Sequence, residues 1–421
     1  MFKFLLIILI NGEAPQPVAA FVNPSMCLYM AAVINKSDIN GKAVTYTIVT
    51  GDTTTLAVTG LKSLLTDKDA PPEFQEIDWT SATNVLTATA AVAGVPFAGM
   101  AGGLIFSATG GTSFTQATTI ANLSPSDVND ANNWLRGGVT GLPASQDDVV
   151  LRDSNVPLLW NLDALSGISF NSFTRWNSFT GEVGLPENNP LGYIEFRPTY
   201  FQMDGYGNTL AVLLGVDDGA GPKNERYNFG GQQVAVTGRG TRSNKLRLLA
   251  THVGNTLNIS GMDVELAVQI NESSGLNTAT IRNGGKLTLG PDVLLYGTVL
   301  TLTGGAEAML HVAPLNVTMK DRCRLWVLGS DLTFPTLTAD EDCVINWLSN
   351  SNITTLTLSK RCTLDKSWDI RTMTITNATM DGDCQVLDPM SRITWTNAVT
   401  VKGVVSAGPI TFLGDRTVRI V

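Results

Sequence analysis

The chain has 421 residues, a net charge of −9, 43% hydrophobic residues and only 15% charged residues. This length allows two or three domains, and the balance of composition excludes intrinsic disorder, which requires few hydrophobic and many charged residues. An acidic chain without a basic stripe also argues against nucleic acid as a partner.

The N-terminal segment has an apolar run from Phe4 to Ile10. The run is too short to span a membrane and short even for a signal peptide, so we expect no membrane span. We expect residues 1–42 to form an N-terminal arm, in which this run is a buried strand or docks on a neighbouring subunit.

Residues 43–125 carry mixed signals. Ala43 to Val49 alternates as a strand does, and Leu56, Leu61 and Leu64 follow with helical spacing behind a threonine that can cap the helix. Strands and turns come next, and a linker-like stretch rich in Ser, Asn and Asp ends the segment. The pattern predicts a small α+β module for attachment.

From Trp134 onward the sequence alternates between short strands and turns without a convincing helix. Such spacing is typical of an all-β build. We therefore predict a β-rich entry or cap region over residues 126–250.

A repeat fills the C-terminal part of the chain. An apolar residue, a threonine, another apolar residue, three further residues and then Cys or Val recur in steps of about 20 to 30 residues. The repeats begin at Leu287, Val317, Leu337, Leu356, Ala378 and Val399.

Alternate side chains of a strand face opposite ways, so the threonines should point outward and the apolar residues inward. One such unit cannot bury its apolar face alone, but stacked copies can. We therefore predict a mainly β chain with a parallel β-solenoid (β-helix) over residues 251–421. The alternative is chance recurrence in a threonine-rich β-sandwich.

Four repeats end in a cysteine. We expect these side chains to form a buried ladder of free thiols at one inward corner, with Val293 and Val405 in the equivalent positions of other turns. A linear ladder cannot surround zinc tetrahedrally. Charged residues before each cysteine predict ion pairs between turns. The ladder comprises Cys323, Cys343, Cys362 and Cys384.

Candidates for catalysis are sparse. The chain has two histidines, His252 and His311, and no C-x-x-C pair. The densest acidic positions are Asp147–Asp148, Asp217–Asp218 and Asp340–Asp342, and turns or exposed corners explain them at least as well as a carboxylate pair would. We predict no catalytic residues, no metal site and no cofactor.

Two stretches predict a surface for a partner or a glycan. The aromatic residues Phe173, Trp176 and Phe179 fall three apart, which on a strand would leave some of them exposed. The basic residues Arg239 and Arg242 lie in "GRGTRSNKLR", where an alternating exposed strand face is the competing interpretation.

The segment "DANNWLRGGVTGLPASQDDVVLRDSN" resembles the entry of β-solenoids in bacteriophage structural proteins and bacterial surface proteins. The stretch "VTYTIVTGDTTTLAVTGLKSLL", followed by "AGVPF", is similar to small α+β modules that precede such solenoids in phage virion proteins. The resemblance covers roughly Ala43 to Pro198, and it carries over no catalytic residues.

The resemblance implies a non-enzymatic virion component: a tail fibre, a tailspike-like protein or a capsid decoration protein. It would assemble in the bacterial cytoplasm, where free cysteines stay reduced. Its expected partners are other virion proteins through the N-terminal region, further copies of itself (preferably as a trimer) and a host surface glycan. Two alternatives stay open, a polysaccharide-degrading tailspike and an exported adhesin or filament subunit at the cell surface.

Overall fold

A computed structural model describes the chain in ranges separated by gaps. These are residues 4–8, 16–21, 30–33, 42, 45–48, 53–83, 85–97, 125–213, 223–231, 233–269, 271–402 and 418–420. The chain divides into two compact units. Unit 1 comprises Met1–Ser124 and Pro186–Arg197, and unit 2 comprises Pro125–Leu185 and Pro198–Val421.

Unit 1 combines three antiparallel strand pairs with one α-helix. The pairs are β1 (Phe4–Ile8) with β2 (Gln16–Phe21), β3 (Met30–Val33) with β4 (Thr45–Ile48), and β5 (Ile77–Ala82) with β6 (Val85–Ala90). The helix α1 spans Thr54–Leu65, and a 3-10 helix spans Pro72–Glu76. Both the strand predicted over 43–49 and the helix are therefore present.

Helix α1 begins where the sequence predicted a threonine cap. The Oγ1 of Thr53 accepts a hydrogen bond from the backbone N–H of Leu56 at 3.3 Å, which satisfies one of the free donors at the helix start. The buried face of the helix contributes Leu61 and Leu65 to a small core with Phe74, Ile77 and Trp79.

The segment Pro186–Arg197 belongs to unit 1 through an ionic network. Arg197 pairs with Glu76 at 2.9 Å and with Glu195 at 2.7 Å, and it donates a third bond to the carbonyl of Pro96 at 2.8 Å. The hydroxyl of Tyr193 also donates to Glu76. Buried charges are costly unless they are paired, so these ion pairs and hydrogen bonds hold the segment against the 3-10 helix and the residues after β6 in its unit.

Unit 2 begins with a capping structure that corresponds to the entry motif of the sequence. A 3-10 helix at Ala131–Asn133 precedes the hairpin of β7 (Leu135–Arg136) and β8 (Val139–Thr140). The hairpin turns through two glycines with positive φ, as two-residue hairpins require. Trp134 is buried, and its Nε1 donates to the carbonyl of Val128 at 2.9 Å.

The rest of unit 2 is a parallel β-solenoid of about 11 turns. Each turn contributes one strand to sheet A and, from β11 on, one strand to sheet B. Sheet A contains β9 (Asp148–Leu151), β10 (Ser169–Arg175), β12 (Asp204–Leu213), β14 (Val234–Arg239), β16 (Thr256–Ser260), β18 (Ser274–Arg282), β20 (Val293–Thr303), β22 (Asn316–Lys320), β24 (Thr333–Asp340), β26 (Asn352–Leu358), β28 (Met373–Asp381), β30 (Ile393–Trp395), β31 (Val399–Lys402) and β32 (Val418–Ile420). Sheet B contains β11 (Phe201–Gln202), β13 (Asn224–Asn228), β15 (Lys245–Leu249), β17 (Asp263–Leu266), β19 (Lys286–Leu289), β21 (Glu307–Leu310), β23 (Arg324–Val327), β25 (Val344–Trp347), β27 (Thr363–Asp365) and β29 (Gln385–Leu387).

One continuous core fills the solenoid. Alternate residues of both sheets are buried, as in β22, where Val317 and Met319 point inward between exposed neighbours. The first turns are filled by aromatic rings, with Phe173 5.5 Å from both Phe201 and Tyr227. Later turns use mostly aliphatic side chains, with one further aromatic pair, Phe334 and Trp347, whose rings lie 5.1 Å apart. The predicted solenoid is therefore present, and its sheets begin at residue 148, well before the expected boundary at 251.

The corners between sheet A and sheet B have an unusual backbone. Asp321 and Arg322 both have positive φ, and the next two turns repeat this geometry with Glu341–Asp342 and Lys360–Arg361. The preceding turn uses Gly304 and Gly305, the residues best suited to it. Backbone hydrogen bonds join the corners, for example from Arg322 N to Glu341 O at 2.8 Å, and these bonds offset the strain.

Candidate functional site

The predicted cysteine ladder lies inside the solenoid, directly before the strands of sheet B. The first three members each accept a backbone hydrogen bond from the turn that follows, as Cys323 O does from Val344 N at 2.9 Å. All four thiols are free and buried. The column continues toward the N-terminus without cysteine. Its members in chain order are Asn244, Met262, Gly285, Ala306, Cys323, Cys343, Cys362 and Cys384.

One detail of the predicted ladder was wrong. Val293 does not occupy the cysteine position, because it begins β20 in sheet A. The equivalent residue of that turn is Ala306, which is also fully buried. The motif at Leu287 lies in β19 of sheet B, not in sheet A. Buried and outward-facing residues alternate in the same way in both sheets, so the sequence pattern did not show which sheet the motif belongs to. Val405 lies outside the described residues.

The thiols of Cys323 and Cys343 donate to the backbone carbonyls of Lys320 and Asp340, at 3.0 Å each. A hydrogen bond between Cys323 and Cys343 lowers the pKa of the Cys323 thiol and raises the pKa of Cys343 to about 11. The hydrogen bond with Cys343, together with burial, raises the pKa of Cys362, and burial raises that of Cys384 to about 11. High pKa values keep a thiol protonated and unreactive near neutral pH.

The charged corners outside this ladder pair between turns, as predicted. Arg361 donates to both carboxylate oxygens of Asp342, through Nε and Nη2, at 2.7 Å each. Lys360 reaches Glu341 at 2.9 Å. All these side chains are largely solvent-exposed, so the pairs align neighbouring turns more than they stabilise them.

The outer face of sheet A carries three columns of side chains. The third column is charged in most turns, through residues such as Arg282, Lys320 and Asp340. The other two columns hold small and mostly polar residues, and we call these two columns the threonine face. Strand register places one threonine above the next in seven consecutive turns, in the column Thr280, Thr301, Thr318, Thr338, Thr357, Thr379 and Thr400. The neighbouring column is Thr256, Thr278, Val299, Asn316, Thr336, Thr355 and Asn377. Neither column holds an ionisable side chain.

The outer face of sheet B also carries charged side chains. One of its columns alternates in sign from turn to turn, with Lys245, Asp263, Lys286, Glu307 and Arg324 in register. Glu265 in the adjacent column binds Lys245 at 2.6 Å and Arg247 at 2.7 Å. Most of these charges are thus neutralised by neighbouring turns.

A third surface lies on the loop between β27 and β28. Trp368 and Ile370 are 77% and 70% exposed, although polar contacts hold the loop on both sides of them. Lys366 is buried and donates to Ser349 O at 2.5 Å, and Arg371 binds Asp369 at 3.0 Å. The sequence analysis did not identify this loop, although "DKSWDIR" is the densest mixture of charge and aromatic character in the repeats.

The structure corrects part of the predicted aromatic and basic surface. Phe173 and Phe179 are 2% and 3% exposed and belong to the core, so they cannot be part of a surface. Trp176 is 46% exposed at the end of β10. Register places Arg239 at the same corner two turns later, whereas Arg242 pairs with Glu307 at 3.3 Å.

The described acidic candidates have structural partners. Asp147 accepts hydrogen bonds from Arg136 and from the backbone of Ala144, both at 2.8 Å, and these bonds lower its pKa. Asp148 accepts from Asn171 and Ser172 in the next turn. Asp340 and Asp342 belong to the ion-paired corners. Asp217 and Asp218 lie outside the described residues.

The described residues contain neither a candidate metal site nor a helix that could span a membrane. Their His, Cys, Asp and Glu side chains form no group of three or more that could hold a metal ion. None of their helices has both the length and the apolar character needed to cross a membrane.

The class of protein defined by this geometry is a parallel β-solenoid with two sheets and an internal thiol ladder. No protein-family model matches the sequence, no curated protein matches it, and no solved structure matches the chain.

Proposed function

We propose that this chain is a non-enzymatic structural component of a bacteriophage particle, of the tail-fibre, tailspike-like or capsid-decoration type. Its solenoid would form a rigid projection or surface element, and its N-terminal region would attach to other virion proteins. The likeness of residues 43–198 to virion proteins supports the setting.

The observation that carries the mechanical role is the uninterrupted core. A single buried hydrophobic cluster extends from Val128 to Val401 through the described turns. Both sheets and the corners add hydrogen bonds between successive turns. Bending such a rod would open many hydrogen bonds and expose packed side chains together, which makes the rod stiff.

The charged groups support the same role. The described carboxylates of Asp148, Glu341 and Asp342 accept hydrogen bonds or ion pairs from neighbouring turns. Carboxylates that are paired in this way align neighbouring turns and are not available as general acids or bases.

Mass spectrometry of particles purified from a lysate of cells that express the native gene tests the proposal. The chain should co-purify with the particles in a fixed ratio to their other proteins, and particles that lack it would overturn the proposal. A shortened polysaccharide product after incubation with purified protein would instead establish the enzymatic alternative. A cleaved N-terminus on the native protein would favour export to the cell surface.

A further inference from the structure

We propose that the threonine face is the surface through which copies of this chain pack against one another. The solenoids would lie parallel, with their threonine faces turned toward a common axis. The inference rests on the proposed function and on the expectation from the sequence that the chain forms a homo-oligomer, and it names the part of the molecule that makes the contact.

The distribution of charge selects this face. Its two columns hold threonine, asparagine and one valine, and no ionisable side chain occurs in them from Thr256 to Thr400. Sheet B and the corners carry charges in almost every turn over the same length. Cores of protein interfaces are depleted of charge because burying a charge costs its hydration. The threonine face is therefore the long surface whose burial costs the least hydration free energy.

The period of the columns selects a second copy as the occupant. Successive turns of a parallel sheet lie about 4.8 Å apart, so the threonine methyl and hydroxyl groups repeat at that interval. A parallel copy has the identical repeat and meets the face turn for turn along its whole length. A partner of any other period would lose register within a few turns.

The size of the face is sufficient for a specific contact. Seven turns at about 4.8 Å and strands of five residues at about 3.3 Å per residue make a patch of roughly 500 Å² on each copy. This width includes the charged third column, with Lys320 and Asp340, which lies along the rim of the patch. Two such patches bury about 1,000 Å² in total, which is the lower limit for a specific interface.

Single cysteines introduced on the face test the inference by disulfide cross-linking. The variants are Thr318→Cys, Thr338→Cys and Thr357→Cys, each combined with Cys27→Ser. The described native cysteines are buried and should not interfere. The matched controls are Thr288→Cys and Thr363→Cys, which replace outward-facing threonines of sheet B. Copper phenanthroline with dissolved oxygen serves as the oxidant, and non-reducing gel electrophoresis detects the product.

Parallel packing places each residue opposite its own copy, so all three variants on the face should yield covalent dimers and the two controls should not. Cross-linking at only one face position would indicate antiparallel copies and overturn the parallel arrangement. Equal cross-linking of the controls, or no cross-linking on the face, would overturn the inference altogether and assign the face to a different partner. Particles that contain the chain would still support the proposed function in either case.

Discussion

Lys366 and Asp369 form an ion pair of 2.9 Å inside the loop between β27 and β28, where their side chains are 0% and 8% exposed. Lys366 also donates to Ser349 O in the preceding turn. The pair fastens the loop to the body of the solenoid. The two exposed apolar side chains of the loop, Trp368 and Ile370, are thereby held in fixed positions.

Replacing Lys366 by methionine should reduce the free energy of unfolding by about 3 kcal/mol, because Asp369 loses a buried cationic partner and Ser349 O loses its donor. Chemical denaturation measures this loss. Lys402→Met provides the control, since Lys402 is exposed and its removal should change little. Equal stability of the two variants would contradict the importance of the buried pair.

The same loop predicts a specific dependence on pH. Burial disfavours the ionised form of Asp369, but hydrogen bonds from Arg371 and Lys366 outweigh it and lower its pKa to about 2. A carboxylate with a lowered pKa stabilises the fold above its unfolded pKa of 3.8, and this stabilisation disappears as the pH falls toward 2.

Thermal unfolding of Asp369→Asn should therefore show a deficit of up to about 2 kcal/mol at pH 5 relative to the native chain. The deficit should shrink between pH 4 and pH 2, because the native chain loses the contribution of the carboxylate there. A deficit that stays constant over this interval would show that Asp369 acts by packing alone.

The left-handed corners predict a stabilising substitution. Arg322 has a φ of +58°, a conformation that costs a residue with a Cβ about 1 kcal/mol relative to glycine. Arg322→Gly should raise the free energy of unfolding by up to about 1 kcal/mol, because its exposed side chain contributes little in compensation. Arg322→Val is the matched comparison and should be destabilising, since a β-branched residue fits this conformation poorly. Calorimetry that ranks valine above glycine would refute the strain argument.

The thiol ladder predicts cysteines that do not react in the folded protein. Iodoacetamide at pH 8 should leave Cys323, Cys343, Cys362 and Cys384 unmodified until a denaturant is added, because burial excludes the reagent and three of the four thiols have raised pKa values. Peptide mapping by mass spectrometry identifies each site. The outward-facing thiol of Thr288→Cys in sheet B should react under the same conditions. Rapid modification of Cys343 in the folded chain would disprove the buried ladder.

The architecture of the C-terminal half could be predicted because its signal is local and repeated. Thr318 and Thr338 alternate with buried neighbours, and the cysteine follows each at the same spacing. The first turns escaped detection because the residues that fill them are different. Phe173 and Tyr227 fill the core there in place of aliphatic residues, and the threonine repeat is absent.

The functional surfaces depend on relations that spacing alone does not contain. The prediction that Phe173 and Phe179 share a surface assumed an unbroken strand, but β10 ends at Arg175 and both rings enter the core. The threonine face required the register between turns to be known, because each turn has its own length. The exposed loop at Trp368 could not be recognised from the sequence, because it is held by the hydrogen bond from Lys366 to Ser349 O, 17 residues earlier.

Since each strand pairs only with those of the turns directly before and after it, the cross-section of the solenoid does not depend on how many turns it has. A gene encoding such a chain can gain or lose whole turns by duplication or deletion of about 20 codons and leave both ends intact. The length of the solenoid is in this sense an adjustable property, which can change without any change in the turns at its two ends.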